Sequence, residues 1–259
     1  LVNPDRLVGV AAPTADPTLS NVAQLVQGKP AVSADAETII DLNPDLVLVS
    51  SFTRQDVVDL LEGAGITVAR TPLENSVDGH QSDIHLIGHI VGAEAQAKVL
   101  AAEVERRIFR VRELTASVPI DQRPWVLAIT RYSDSLWVAG SGSTEGGILE
   151  ASGVVNVAAK HGITGNQIVS AESIIKMAPE VIIITQTEPV ASEFRRDLLD
   201  DRAMRDVPAV SQQRVFIGDP RYYTTLSHWN VRGIEETARM AFPDIFRGNV
   251  FGDFQTPGE

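Results

Sequence analysis

The chain has 259 residues, 44% hydrophobic and 22% charged, which is the usage of a folded globular protein with a sizeable core. Its formal net charge of −12 argues against nucleic acid as a main partner, since phosphate binding needs a basic face, and opposes adsorption to anionic lipid. Cysteine is absent, which excludes disulfides, thiolate nucleophiles and cysteine-ligated metals.

Taken in chain order, the first predicted helix opens at Ser33 or at Ala34–Asp35, with Glu37 near the positive end of its dipole, and Pro44 ends it. Leu46 to Val49 is a continuous, β-branched run that suits a parallel strand buried on both faces. A helix follows over Gln55 to Leu61, then a glycine stop at Gly63 and Gly65, then a strand over Ile66 to Ala69. His85 and His89 stand four apart on a further helix, where Asp78, Ser82, His85 and His89 make a solvated polar face opposite Ile84, Ile87 and Val91. From Glu94 to Ala116, apolar residues recur at Ala97, Leu100, Val104, Ile108, Val111 and Leu114, which is helical spacing. Such a helix is roughly 35 Å long at ~1.5 Å per residue.

Pro119 and Pro124 break the chain before a strand beginning at Trp125. GSGSTEGG, from Gly140 to Gly147, lacks the lysine of a phosphate-binding loop and carries Glu145 where a dinucleotide fingerprint needs glycine; it reads as a helix cap using Ser143 or Thr144. Ser170 caps the next helix, Glu172 falls in its first turn, and Pro179 ends it. A strand over Val181 to Ile184, a helix over Ser192 to Leu199, a strand over Val215 to Ile217 and a helix over Asn230 to Phe242 complete the series.

Two of these segments are copies. AETIIDLNPDLVLVS begins at Ala36 and AESIIKMAPEVIIIT at Ala171, 135 residues apart and identical at five positions. Each is followed by a helix and a strand, so each opens a βαβ unit. The fold class is therefore α/β: two similar lobes with mainly parallel sheets, joined by one long backbone helix, with a ligand cleft between them. The expected division is an N-terminal lobe over 1–92, the connecting helix over 93–118 and a C-terminal lobe over 119–259.

RLVGV from Arg6 to Val10, GAGITV from Gly63 to Val68, EASGVVNVA from Glu150 to Ala158 and the two copies stand in one order over nearly the whole chain. Together they resemble the helical-backbone class of substrate-binding proteins of ABC importers, which deliver ferric siderophores, haem or cobalamin to a membrane permease. Its most specific element is the paired A-E-[ST]-I-I-x-x-x-P-[DE] motif. The resemblance implies that Glu37 and Glu172 dock into arginines of the permease, where carboxylate–arginine pairs give planar, bidentate contacts. It implies a periplasmic or extracytoplasmic location, with lipid anchorage left open, and no enzymatic activity. Family members carry another strand and helix before the segment matching RLVGV, so the first lobe is expected to lack that unit and to expose a sheet edge prone to self-association.

Ligands of α/β sheets bind beyond the carboxyl ends of strands. The loops in question are Ala12–Asp16, Ser51–Arg54, 71–75, Arg131–Ser135, Gly165–Gln167, Gln186–Pro189 and Asp219–Thr225. They hold the candidate ligand contacts Phe52, Arg54, Arg131, Tyr132, Asn166, Arg221, Tyr222 and Tyr223, with Trp137, His228 and Trp229 near by. Aromatics beside arginines suit a large, flat or anionic ligand such as a ferric siderophore or haem. No catalytic residue, resident metal or cofactor is expected; iron or cobalt would arrive within the ligand. The competing readings are a chelatase-like enzyme handling tetrapyrroles or metals, and a metal-ion carrier.

Overall fold

The computed structural model describes residues 1–72, 76–249, 251–252 and 254. Two compact units emerge, one built mainly from Leu1–Glu74 and Gln81–Ala101, the other from Asn75–His80 and Ala102–Gly252.

In the first unit β1 (Val10–Ala11) pairs in parallel with β2 (Ala31–Val32). Helix α1 (Ala36–Asp41) is capped by Asp35, whose carboxylate accepts from the Thr38 backbone N–H at 3.0 Å. The cap thus falls at Asp35 rather than Ser33, because an aspartate in extended backbone reaches the N3 amide directly. Next come β3 (Leu46–Ser50), α2 (Gln55–Gly63) and β4 (Thr67–Thr71), with β3 and β4 parallel in register Leu46 to Thr67. Ala36, Val57 and Leu61 form the small core beneath them. The expectation that β3 is buried on both faces is corrected here: Leu48 is 43% exposed, because β3 and β4 make a two-stranded sheet packed on α2. Helix α3 (Val77–Ile90) carries His85 and His89 exposed, His89 lying 3.2 Å from Glu94. The Asp78 side chain, assigned to the same polar face, lies outside the described residues. Helix α4 (Glu94–Thr115) matches the long-helix expectation to one residue, and the division between the units falls within it.

The second unit is built on β5 (Trp125–Tyr132) and β6 (Ser135–Ala139), a hairpin whose two-residue turn places Ser133 at φ 51°. There follow α5 (Thr144–Ala151), β7 (Val155–Asn156), α6 (Val157–Lys160), β8 (Asn166–Val169) and α7 (Ala171–Met177). Then come β9 (Val181–Ile184), α8 (Val190–Asp200), α9 (Pro208–Ser211), β10 (Val215–Ile217), α10 (Pro220–Tyr223) and α11 (Asn230–Ala241). The sheet order is β10-β9-β5-β6-β8, with β7 paired to β5. β10, β9, β5 and β7 run parallel, and β6 alone opposes its neighbours. The fold class is as expected, α/β with mainly parallel pairing. Residues of α6 to α9 share one core with Leu127, Ile129, Ile182 and Ile184.

The sequence repeat is a structural repeat. β3–α2–β4 and β9–α8–β10 are both parallel βαβ units, each preceded by a capped short helix. Asn43 and Ala178 occupy equivalent positions and differ in chemical kind, yet both end their helix in the left-handed region, at φ 49° and 48°. Asparagine tolerates that conformation; for alanine it costs roughly 1 kcal/mol.

One buried ion pair ties α4 to α11 within this unit. Arg107 Nε and Nη2 donate to the two carboxylate oxygens of Glu235 at 2.7 and 2.6 Å. Burial pulls the Glu235 carboxyl up, and the Arg107 hydrogen bonds and charge pull it back. On the next residue, burial and the charge of Asp219 push the Glu236 carboxyl up to about 7. A raised folded-state pKa means that stability present below the unfolded value is lost as pH rises through the folded one. The stability advantage of Glu236→Gln over the parent chain is therefore expected to grow between pH about 4.5 and about 7, by roughly 1–2 kcal/mol after allowance for solvent screening. Urea unfolding at steps across that window measures it, and a constant difference would contradict the assignment.

Candidate functional site

The second unit holds a cavity of about 250 Å³ at the carboxyl ends of β5 and β9. Strand periodicity builds its wall. Ala128, Thr130 and Tyr132 alternate along β5 with Leu127 and Ile129, so the core takes one face and the cavity the other. On β6, Trp137 stands opposite Thr130 and shares the cavity face with Ala139. On β8, Asn166 pairs with Ala139. Ala128 and Ala139 leave the space, and Tyr132 and Trp137 flank it.

Thr185, just past β9, closes the floor. Its hydroxyl lies 3.0 Å from that of Thr130, so that one donates to the other. Thr224, after α10, and Glu145, in the first turn of α5, complete the lining. The GSGSTEGG segment acts as the expected cap: Ser143 Oγ accepts from the Gly146 N–H at 3.0 Å and donates to the Gly140 carbonyl at 2.8 Å. Gly146 is obligatory there, since a Cβ would stand 2.0 Å from the Gly140 oxygen. Through this close approach the cap presents Glu145 to the cavity, and burial raises its carboxyl pKa.

Of the residues expected from sequence, Tyr132 and Asn166 line this cavity. Asn166 does so from strand β8 and not from the loop expected at Gly165–Gln167, because β8 pairs with the edge of β6. Tyr223 sits elsewhere: it is 0% exposed, its hydroxyl 2.9 Å from that of Thr237, so it is a core residue and not a surface contact. Tyr222 is half-buried and stacks on Trp229, with ring centroids 6.3 Å apart. The three arginines expected to meet an anionic ligand each hold an aspartate. Arg54 pairs with Asp56, Arg131 with Asp197 at 2.7 Å and Arg221 with Asp219 at 2.5 Å. Phe52, in the first unit, is 83% exposed. Residues 73–75 of the loop after β4 lie outside the described residues.

Sequence reading missed Thr130, Thr185 and the cavity role of Glu145, and did not single out Thr224 within the expected loop Asp219–Thr225. The alternation of small or polar with apolar residues along β5 carried the signal for Thr130. Thr224, Thr185 and Glu145 reach the wall only through tertiary packing.

Glu37 and Glu172 both occupy the first turn of their helices and are exposed. Among the described residues neither makes an ion pair.

The sequence profile of the family described as periplasmic binding protein matches residues 1–222. The chain belongs to this family. As a periplasmic binding protein it is an extracytoplasmic protein, as the sequence implied, and its relatives are binding proteins of transporters. It is 26% identical over 246 residues to YvrC, an uncharacterized ABC transporter substrate-binding lipoprotein of Bacillus subtilis, covering 94% of this chain and 75% of that one. It is 30% identical over 181 residues to a cobalamin-binding protein of Halobacterium salinarum, covering 69% of this chain and 48% of that protein. Among solved structures, the periplasmic haem-binding protein RhuT from Roseiflexus sp. RS-1 superposes with a TM-score of 0.78 at 24% identity, over 92% of this chain and 90% of that one. At that identity the likeness concerns the fold.

Proposed function

We propose that this periplasmic binding protein captures a metal chelate — haem, a ferric siderophore or cobalamin — and hands it unchanged to an ABC permease. The observation that carries the reading is the pair of exposed glutamates. Glu37 and Glu172 occupy equivalent positions of the structural repeat, one on each unit, each held at a helix N-terminus and free to meet a cation. Arginine is the natural partner, since its planar fork matches a carboxylate bidentately. The names of the relatives support the cargo: one binds cobalamin and a structural neighbour binds haem. The lipoprotein designation of YvrC supports a lipid anchor for this chain too.

In this reading Tyr132, Trp137 and Asn166 contact the chelate. Tyrosine and tryptophan offer flat apolar area with a polar tip, which suits a macrocycle or an aromatic siderophore. The test is uptake of radiolabelled chelate into proteoliposomes containing the permease. Uptake that requires the binding protein, with the chelate recovered intact, is expected. Chemical alteration of the chelate, or uptake indifferent to the protein, would overturn the reading.

A further inference from the structure

At about 250 Å³ the cavity is smaller than the ~300–1,000 Å³ of pockets that enclose a whole drug-sized ligand. A chelate would therefore seat one peripheral arm in it, with the body of the ligand outside against Tyr132 and Trp137. Among the described residues nine line the cavity, and Glu145 is the one charged residue of those nine. Burial disfavours the charged form of this carboxyl, so a ligand N–H that donates to it is what would hold it ionised, and an approaching anion would not. The arginines at the end of β5 and after β10 of this unit, Arg131 and Arg221, are bound to Asp197 and Asp219. The chain's net charge of −12 adds a long-range field that repels anions.

We propose that Glu145 makes this cavity select chelates whose periphery donates hydrogen bonds, such as primary amides or ammonium groups, against chelates rimmed with carboxylate or catecholate. This rests on the chelate-capture reading above and narrows its cargo class. An amide arm would place its N–H₂ toward Glu145 and its carbonyl toward the side-chain amide of Asn166. A propionate in the same place would face the Glu145 carboxyl with no cation among the described lining residues.

The experiment compares three probes by equilibrium titration at pH 7.5: cyanocobalamin, whose corrin is rimmed with amides; haemin, rimmed with propionates; and a ferric tris-catecholate. The parent chain is expected to bind cyanocobalamin at least about tenfold more tightly than either anionic chelate. Glu145→Gln should narrow that ratio by about fivefold or more, and Asn166→Asp, a second carboxylate on the wall, should widen it. Each variant is checked for a parent-like melting curve. A parent preference for haemin or the catecholate overturns the proposal. So does an unchanged ratio in both folded variants, while leaving chelate capture standing. Saturable binding of none of the three overturns chelate capture and the selectivity with it.

Discussion

The double variant Glu37→Ala, Glu172→Ala is expected to abolish stimulation of the permease while leaving ligand affinity within about twofold of the parent. Both side chains are exposed in the first turn of their helices and lie outside the cavity lining. Neither the core nor the ligand wall depends on them. Truncating one partner of a desolvated charge pair at an interface costs about 2–5 kcal/mol, so losing two such contacts removes most of a docking energy of ordinary size. Each single variant should retain part of the stimulation, because the other carboxylate still engages. The measurement is ATPase and uptake stimulation in proteoliposomes, with ligand titration of the same preparations. Full stimulation by the double variant would remove the docking role, leaving both glutamates as favourable charges at helix N-termini worth about 0.3–1 kcal/mol each.

Arg107→Ala or Glu235→Ala should each destabilise the protein by about 3–5 kcal/mol, because each leaves the opposite charge buried without its partner. The two side chains are 4% and 2% exposed and share two hydrogen bonds at 2.7 and 2.6 Å. Arg232, 3.4 Å from the same carboxylate, softens the loss at Arg107 but not the loss at Glu235. Replacing both partners together, as Arg107→Met with Glu235→Leu, should recover most of the stability, since apolar residues of similar volume pack well in place of a buried pair. Chemical denaturation of the parent, Arg107→Met, Glu235→Leu and the paired variant measures this as a double-mutant cycle. Additive losses, with no recovery in the paired variant, would show that the pair is not coupled.

How much of this was legible in sequence depends on the range of the signal. The repeat, the long helix and β9 were readable because period, capping residue and proline stop are local; α4 was placed within one residue and β9 to the residue. The docking role proposed for Glu37 and Glu172 came from the resemblance, and both side chains are exposed. Leu48 was misjudged because a continuous apolar run says nothing about how many strands cover it. Tyr223 was assigned to a surface loop, yet the close packing of Gly218 against its ring and the Thr237 hydroxyl draw it into the core. The Arg107–Glu235 pair spans 128 residues and was hidden among the charges of a helix read only for its apolar stripe. Glu145 was read for the cap around it, correctly, but the cavity it faces needs β5, β6, β8 and α10 assembled first.

Titration of tryptophan fluorescence with cyanocobalamin, haemin and a ferric siderophore, followed by recovery of the ligand, tests the central claim most directly. Trp137 lines the cavity and reports its occupation, and Trp137→Phe controls for signal from the other two tryptophans. The account predicts saturable one-to-one quenching by at least one chelate at micromolar affinity or tighter, lost in Trp137→Phe, with the chelate recovered chemically unchanged. A folded protein that none of the three quenches saturably, or that returns the chelate altered, would contradict it.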